Sequence, residues 1–116
     1  MKKDTRFAQF VTEDLLAEIP GIKAKPMFGG HGIYKEGIIF AIIAEGQLYF
    51  KVDEQTEGEY KKLGSSPFTY TMPNKKPMTM SYWLLPADIM ESRSELSLWV
   101  NAAVMASKRA KEGRKK

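Results

Sequence analysis

His31-Gly-Ile-Tyr-Lys35, then Glu36-Gly37, then Ile38-Ile-Phe-Ala-Ile-Ile-Ala44, then Glu45-Gly46, then Gln47-Leu-Tyr-Phe-Lys-Val52, is a run of three β-branched and aromatic segments parted by two Glu-Gly breaks. Such short breaks leave room for hairpin turns but not for the long crossover that a parallel pair needs, so the strands run antiparallel. Ile38 to Ala44 is apolar on both faces, which places it centrally in the sheet with helices on at least one side.

Working outward, Lys23 to Phe28 reads as a preceding strand, and Pro20-Gly21 stops a first helix. Asp4 or Thr5 can cap that helix, whose apolar stripe is Phe7, Phe10, Val11, Leu15 and Ile19. Downstream, Asp53 caps a short helix to about Leu63, with Gly64 as its C-terminal stop and Tyr60 and Leu63 as its main apolar area. Phe68 to Met72 and Met78 to Leu85 form a hairpin around the Pro73–Pro77 loop. In its second strand Met78, Met80, Tyr82 and Leu84 face one way, and Thr79, Ser81, Trp83 and Leu85 the other. Pro86 ends the strand, and a helical turn over residues 87–91 leads to Ser92-x-x-Glu95, a capping box. The last helix buries Leu96, Trp99, Val100, Ala103 and Val104. The order α-β-β-β-β-α-β-β-α predicts an α+β fold with a mainly antiparallel sheet of about six strands, not a doubly wound parallel sheet.

Met27-Phe-Gly-Gly-His-Gly-Ile-Tyr34 sets Gly29, Gly30 and Gly32 around His31, the single histidine of the chain. Glycines so crowded are costly unless the backbone needs unusual dihedrals or a close approach. A phosphate cradle would need a following Gly-Lys-Ser/Thr and a helix, and neither is present. The four residues Gly29, Gly30, His31 and Gly32 are therefore read as a structural motif, a bulged strand or tight connection. His31 has no carboxylate partner at a ligand spacing, and there is no cysteine, so no metal site and no cofactor is expected. No nucleophile-elbow pattern surrounds Ser65, Ser66 or Ser81. The chain is accordingly read as not an enzyme, with no catalytic residue.

Of 116 residues, 43% are hydrophobic and 28% charged, which suits one globular domain. The net charge of +4 is unevenly spread. Residues 108–116 carry six basic side chains (Lys108, Arg109, Lys111, Arg114, Lys115, Lys116) and one acidic, whereas the rest hold 12 basic and 13 acidic. The chain divides on this reading into a domain at 1–107 and a basic C-terminal tail at 108–116, a tail able to attract nucleic acid weakly and nonspecifically. Polar residues from Asp4 onward break any signal-peptide core, and the longest apolar run is too short for a bilayer, so a cytoplasmic setting without membrane contact is expected.

Two surfaces are candidates for a partner. Lys75 and Lys76 tip the hairpin loop, and one of Tyr82 and Trp83 must face outward. An outward Trp83, or a sheet edge, would serve a protein partner or a homodimer. Met27, Met78 and Met80 are read as core filler.

The run Met27 to Tyr34, followed by Gly37-Ile-Ile-Phe-Ala41, Leu48-Tyr-Phe-Lys-Val52, Pro67-Phe-Thr-Tyr70, Lys76-Pro-Met-Thr-Met-Ser-Tyr-Trp83 and Leu85-Pro86, resembles the N-terminal domain of the TfoX/Sxy family. The match is in order and covers most of the chain from Phe7 to about Ala106. The resemblance implies a two-layer α+β fold similar to the secretion-chaperone-like architecture. The family's best-known members are bacterial regulators of natural competence that work with the cAMP receptor protein and carry a second, C-terminal domain, so a single-domain member is expected here. It implies a non-enzymatic regulatory or protein-interaction module. The alternative is a nucleic-acid-binding accessory protein using the tail and the Lys75-Lys76 loop.

Overall fold

The computed structural model describes residues 5–27, 30–70 and 73–114. Six strands, β1 (Ile22–Met27), β2 (Gly30–Lys35), β3 (Ile38–Ala44), β4 (Gln47–Lys51), β5 (Pro67–Tyr70) and β6 (Met78–Leu84), form one open sheet in the order β1-β2-β3-β4-β6-β5. Every neighbouring pair is antiparallel, and the fold is α+β as the strand pattern predicts.

The two Glu-Gly breaks are hairpin turns with positive φ at both central positions: 50° and 87° at Glu36-Gly37, 53° and 75° at Glu45-Gly46. That is the type I′ geometry, whose twist matches the strands it joins. Glycine takes the second position of each without a Cβ penalty. Between β2 and β3, Ile33 lies opposite Ala41 but Tyr34 opposite Ile39, leaving Phe40 as an extra residue. The bulge shifts the alternation of β3 and lets the neighbours Phe40 and Ala41 both reach the core.

Helices cover one face. They are α1 (Thr5–Phe10), continued by a π-helical turn (Val11–Leu15), α2 (Glu57–Lys62), α3 (Ala87–Met90) and α4 (Arg93–Arg114). Val11, Leu15 and Leu16 from the first helical segment, and Leu96, Val100 and Ala103 from α4, join Ile33, Phe40, Phe50 and Leu85 in one core cluster. Phe40 and Phe50 meet edge to face at 5.5 Å.

Four expectations need correction. The first helix does not run as one regular stripe, because its ladder widens at Val11–Leu15 and Phe10 is left exposed. The Thr12 hydroxyl donates to the Ala8 carbonyl at 3.0 Å within this segment, a contact that bends helices. Asp4, one proposed cap, lies outside the described residues. In α2, Tyr60 is buried but Leu63 is exposed. The helix opens at Glu57, while the Asp53 carboxylate caps the turn before it, accepting from the Gln55 amide at 3.0 Å. The line drawn between 107 and 108 lies within α4, which continues unbroken to Arg114. Arg109 is not a free tail cation. Its Nε donates to Asp53 Oδ2 at 2.6 Å and its Nη2 to Oδ1 at 3.1 Å, a two-pronged pair that ties α4 to the β4–α2 connection. Ser107 Oγ, two residues earlier, donates to the Ile39 carbonyl at 2.5 Å. Lys115 and Lys116 lie outside the described residues.

Candidate functional site

Among the described residues the helices all lie on one face, and no helix covers the other face of the sheet. Register decides what it presents. Met27, Gly30, Gly32, Tyr34, Ile39, Ile42, Tyr49 and Tyr82 share the side opposite to Ile33, Ala41, Phe50 and Trp83. On this helix-free face a cleft of about 380 Å³ lies over the strands, floored by residues such as Gly30, Ile39 and Ile42 and walled by Phe68, Met78 and Met80. Its lining is overwhelmingly apolar. Met78 is 61% exposed and Met80 36% exposed, so neither is core filler. The distal part of β6 reaches past the helix layer, leaving Met78 to Ser81 exposed on both sides.

The glycines act here through close approach. A Cβ at Gly30 would stand 2.0 Å from the Ile43 carbonyl oxygen, and one at Gly32 would stand 2.7 Å from Met27 Sδ and 3.1 Å from Ile39 Cδ1. Neither has a positive φ, so of the two needs that could place glycines here, unusual dihedrals or close approach, these two serve close approach. Gly29 lies outside the described residues. His31 sits at one end of the cleft, and its Nδ1 is shut off from water with no hydrogen-bond partner among the described residues.

Polar groups stand around the apolar centre. Lys25 Nζ lies over the Tyr34 ring at 5.0 Å and Lys51 Nζ over the Tyr82 ring at 5.2 Å, where cation and ring face attract. Lys51 Nζ also donates to Ser81 Oγ at 2.6 Å. Tyr49 packs on Phe68 at 5.0 Å and donates its hydroxyl proton to Gln47 Oε1 at 3.2 Å. Burial, helped by the negative charge of Glu45, pushes the Tyr49 hydroxyl above its ordinary range, so it stays protonated.

The candidate partner residues separate. Tyr82 faces the cleft and Lys75 and Lys76 are exposed on the loop leading into β6. Trp83 is the inward member of its pair, 9% exposed, and is not a surface anchor. Tyr60 of α2 explains this: its ring lies 6.4 Å from Trp83 and 4.7 Å from Trp99 of α4, closing an aromatic cluster between sheet and helices. Desolvation there drives the Tyr60 hydroxyl pKa strongly upward. Of the basic side chains of α4, Arg93, Lys108, Arg109 and Lys111 are not among the residues that line the cleft. Sequence reasoning missed Phe68, Ile39 and Ile42 as surface residues, because an all-apolar β3 does not say which face is covered. The alternation of Lys23 and Lys25 with Ile22 and Ala24 on β1 was the available signal.

Among the described residues, no three or more His, Asp or Glu side chains gather as a metal site. No helix among them is long and apolar enough to cross a membrane. What the arrangement offers is contact area: a concave apolar surface with adaptable methionine walls. Residues 14–107 match the family model of the TfoX N-terminal domain. No curated protein matches the chain.

Proposed function

The chain belongs to the TfoX N-terminal domain family, and from that membership we propose that it is a non-enzymatic regulatory module that acts by holding another protein on the helix-free face of its sheet. The single observation that carries the reading is the uncovered apolar cleft with Met78 and Met80 turned to solvent. A contiguous apolar patch on a small domain is costly in water and marks a contact surface. A regulatory, non-catalytic type of family fits a site whose polar groups supply no nucleophile with a base. The setting we propose is bacterial competence or transcription control in the cytoplasm.

A photo-crosslinking amino acid placed at Met80 in the source cell tests this, with the same probe at Glu59 on the acidic surface of α2 as the comparison. A discrete protein adduct at position 80, missing at 59 and lost when Met78→Glu is added, is the expected result. Equal adducts at both positions, or none at 80, would remove the basis of the proposal.

A further inference from the structure

Lysines stand at two rims of the cleft, with the Glu45 carboxylate at the β3–β4 turn as the acidic neighbour, and this says what kind of segment fits it. On the β1 side, Lys23 pairs in register with Tyr34 and Lys25 with Gly32, so both lysines share the face of the cleft, and both are exposed. Lys25 is drawn in over Tyr34, itself on the cleft face. On the hairpin side, Lys75 and Lys76 occupy the exposed loop that runs directly into Met78. The acidic side chain nearest in sequence to the lining is Glu45, in the turn after Ala44. Among the described residues, no Asp or Glu occupies a strand position of this face.

We propose that the cleft takes an acidic amphipathic segment of a partner protein, its apolar side chains seated among Ile42, Met78 and Met80 and its carboxylates set on the lysines at the two rims. This rests on the reading of the face as a docking surface and names the chemistry of what docks. Apolar burial supplies the affinity, and the complementary charge supplies orientation and encounter rate.

Three other occupants fit the same face less well. A second copy meeting the face through a two-fold axis would bring lysine rims against lysine rims, and like charges so placed oppose association. A bilayer is flat, whereas the surface is concave and receives a ridge. Strand addition at the sheet edges meets Lys23, Lys25 and Pro26 on β1, and on the other edge a β5 of four residues that begins with Pro67. Lysine, proline and short length are the features that block edge pairing.

The test uses the full chain and three labelled synthetic peptides. The first carries Leu and Phe on one helical face with Glu flanking them. Its twin has Lys for every Glu, and the third keeps Glu but has Ser for every apolar residue. Fluorescence anisotropy should give the first peptide at least about tenfold tighter binding than either of the others. Met78→Glu or Met80→Glu should weaken it by about tenfold or more, and the pair Lys25→Glu with Lys75→Glu should turn the preference toward the basic twin. Both methionines are solvent-exposed, so the thermal melts of these variants should match the parent. Should Met80→Glu melt lower, Met80→Ser takes its place.

Equal or tighter binding of the basic twin to the parent chain would overturn the proposal, as would binding that survives both methionine changes. Tighter association with anionic phospholipid vesicles would assign the face to a membrane. A dimer in sedimentation that Met80→Glu dissolves would assign it to a second copy. The two levels of the argument remain separable: a protein crosslinked through Met80 that the acidic peptide does not displace leaves the docking face standing and sinks its acidic assignment.

Discussion

A methyl group is the smallest probe of the cleft floor, and its cost should differ sharply between glycines. At Gly30 the new carbon meets a backbone carbonyl of β3 that cannot move without opening the sheet, so Gly30→Ala should lose about 2–3 kcal/mol. At Gly32 the nearest atom is the movable end of Met27, and the loss should be nearer ~1 kcal/mol. Gly58, inside α2 with open space around it, should reverse the sign and gain about 0.5–1 kcal/mol on change to Ala. Urea denaturation of the three variants gives the ranking, and a Gly30 variant as stable as the Gly58 one would deny that carbonyl contact any role. Trp83→Ala should cost about 3–5 kcal/mol, as a large ring is removed from the cluster with Tyr60. Tyr82→Ala should cost far less and act on docking instead. Strand alternation made plain that these two neighbours face opposite ways. It could not say which way the helices lie, because that depends on Tyr60 and Trp99, distant in sequence and brought together only by the fold.

At the level of elements, the pair between Asp53 and Arg109 fastens the far half of α4. The Arg109 hydrogen bond, ahead of the backbone amides of Gln55 and Thr56, holds the Asp53 carboxyl below its ordinary range against the cost of desolvation. A carboxyl depressed in the folded state adds stability that is fully present above its unfolded value of about 3.9 and drains away as pH falls below it. Asp53→Asn should therefore lower the melting temperature at neutral pH, with the gap to the parent closing as pH falls below the unfolded value of about 3.9. Thermal melts across that range, at low salt, check it, and a gap independent of pH would say that the ion pair is not the cause. Both side chains are partly exposed, so added salt should narrow the gap as well. Elements marked by local chemistry were legible: the Glu-Gly turns, and Ser92, whose Oγ accepts from the Glu95 amide at 3.4 Å at the start of α4. The π-helical turn was not, since Val11 and Leu15 keep an ordinary helical spacing. Arg109 was not either, because its carboxylate lies 56 residues away.

For the molecule as a whole, the open sheet is two pieces of unequal origin. Strands β1 to β4 follow one another through connections of two residues each. β6 reaches β4 only after α2 and β5 have been traversed. Short loops close at little entropic cost, while the β4–β6 seam must first order the chain between them. The ladder there is brief, Tyr49 to Leu84, Phe50 to Trp83 and Lys51 to Tyr82. Native-state amide exchange should accordingly sort the sheet into two groups: β2, β3 and β4 opening with global unfolding, and β5 with the outer end of β6 opening at lower free energy. A single exchange free energy across all six strands would contradict this division. The hairpin expected to open first is also the one that carries Met78 and Met80. On that division one wall of the cleft would keep its own time, and the opening rate of β5 and β6 would set how quickly the cleft widens for a bulkier side chain and shuts behind it.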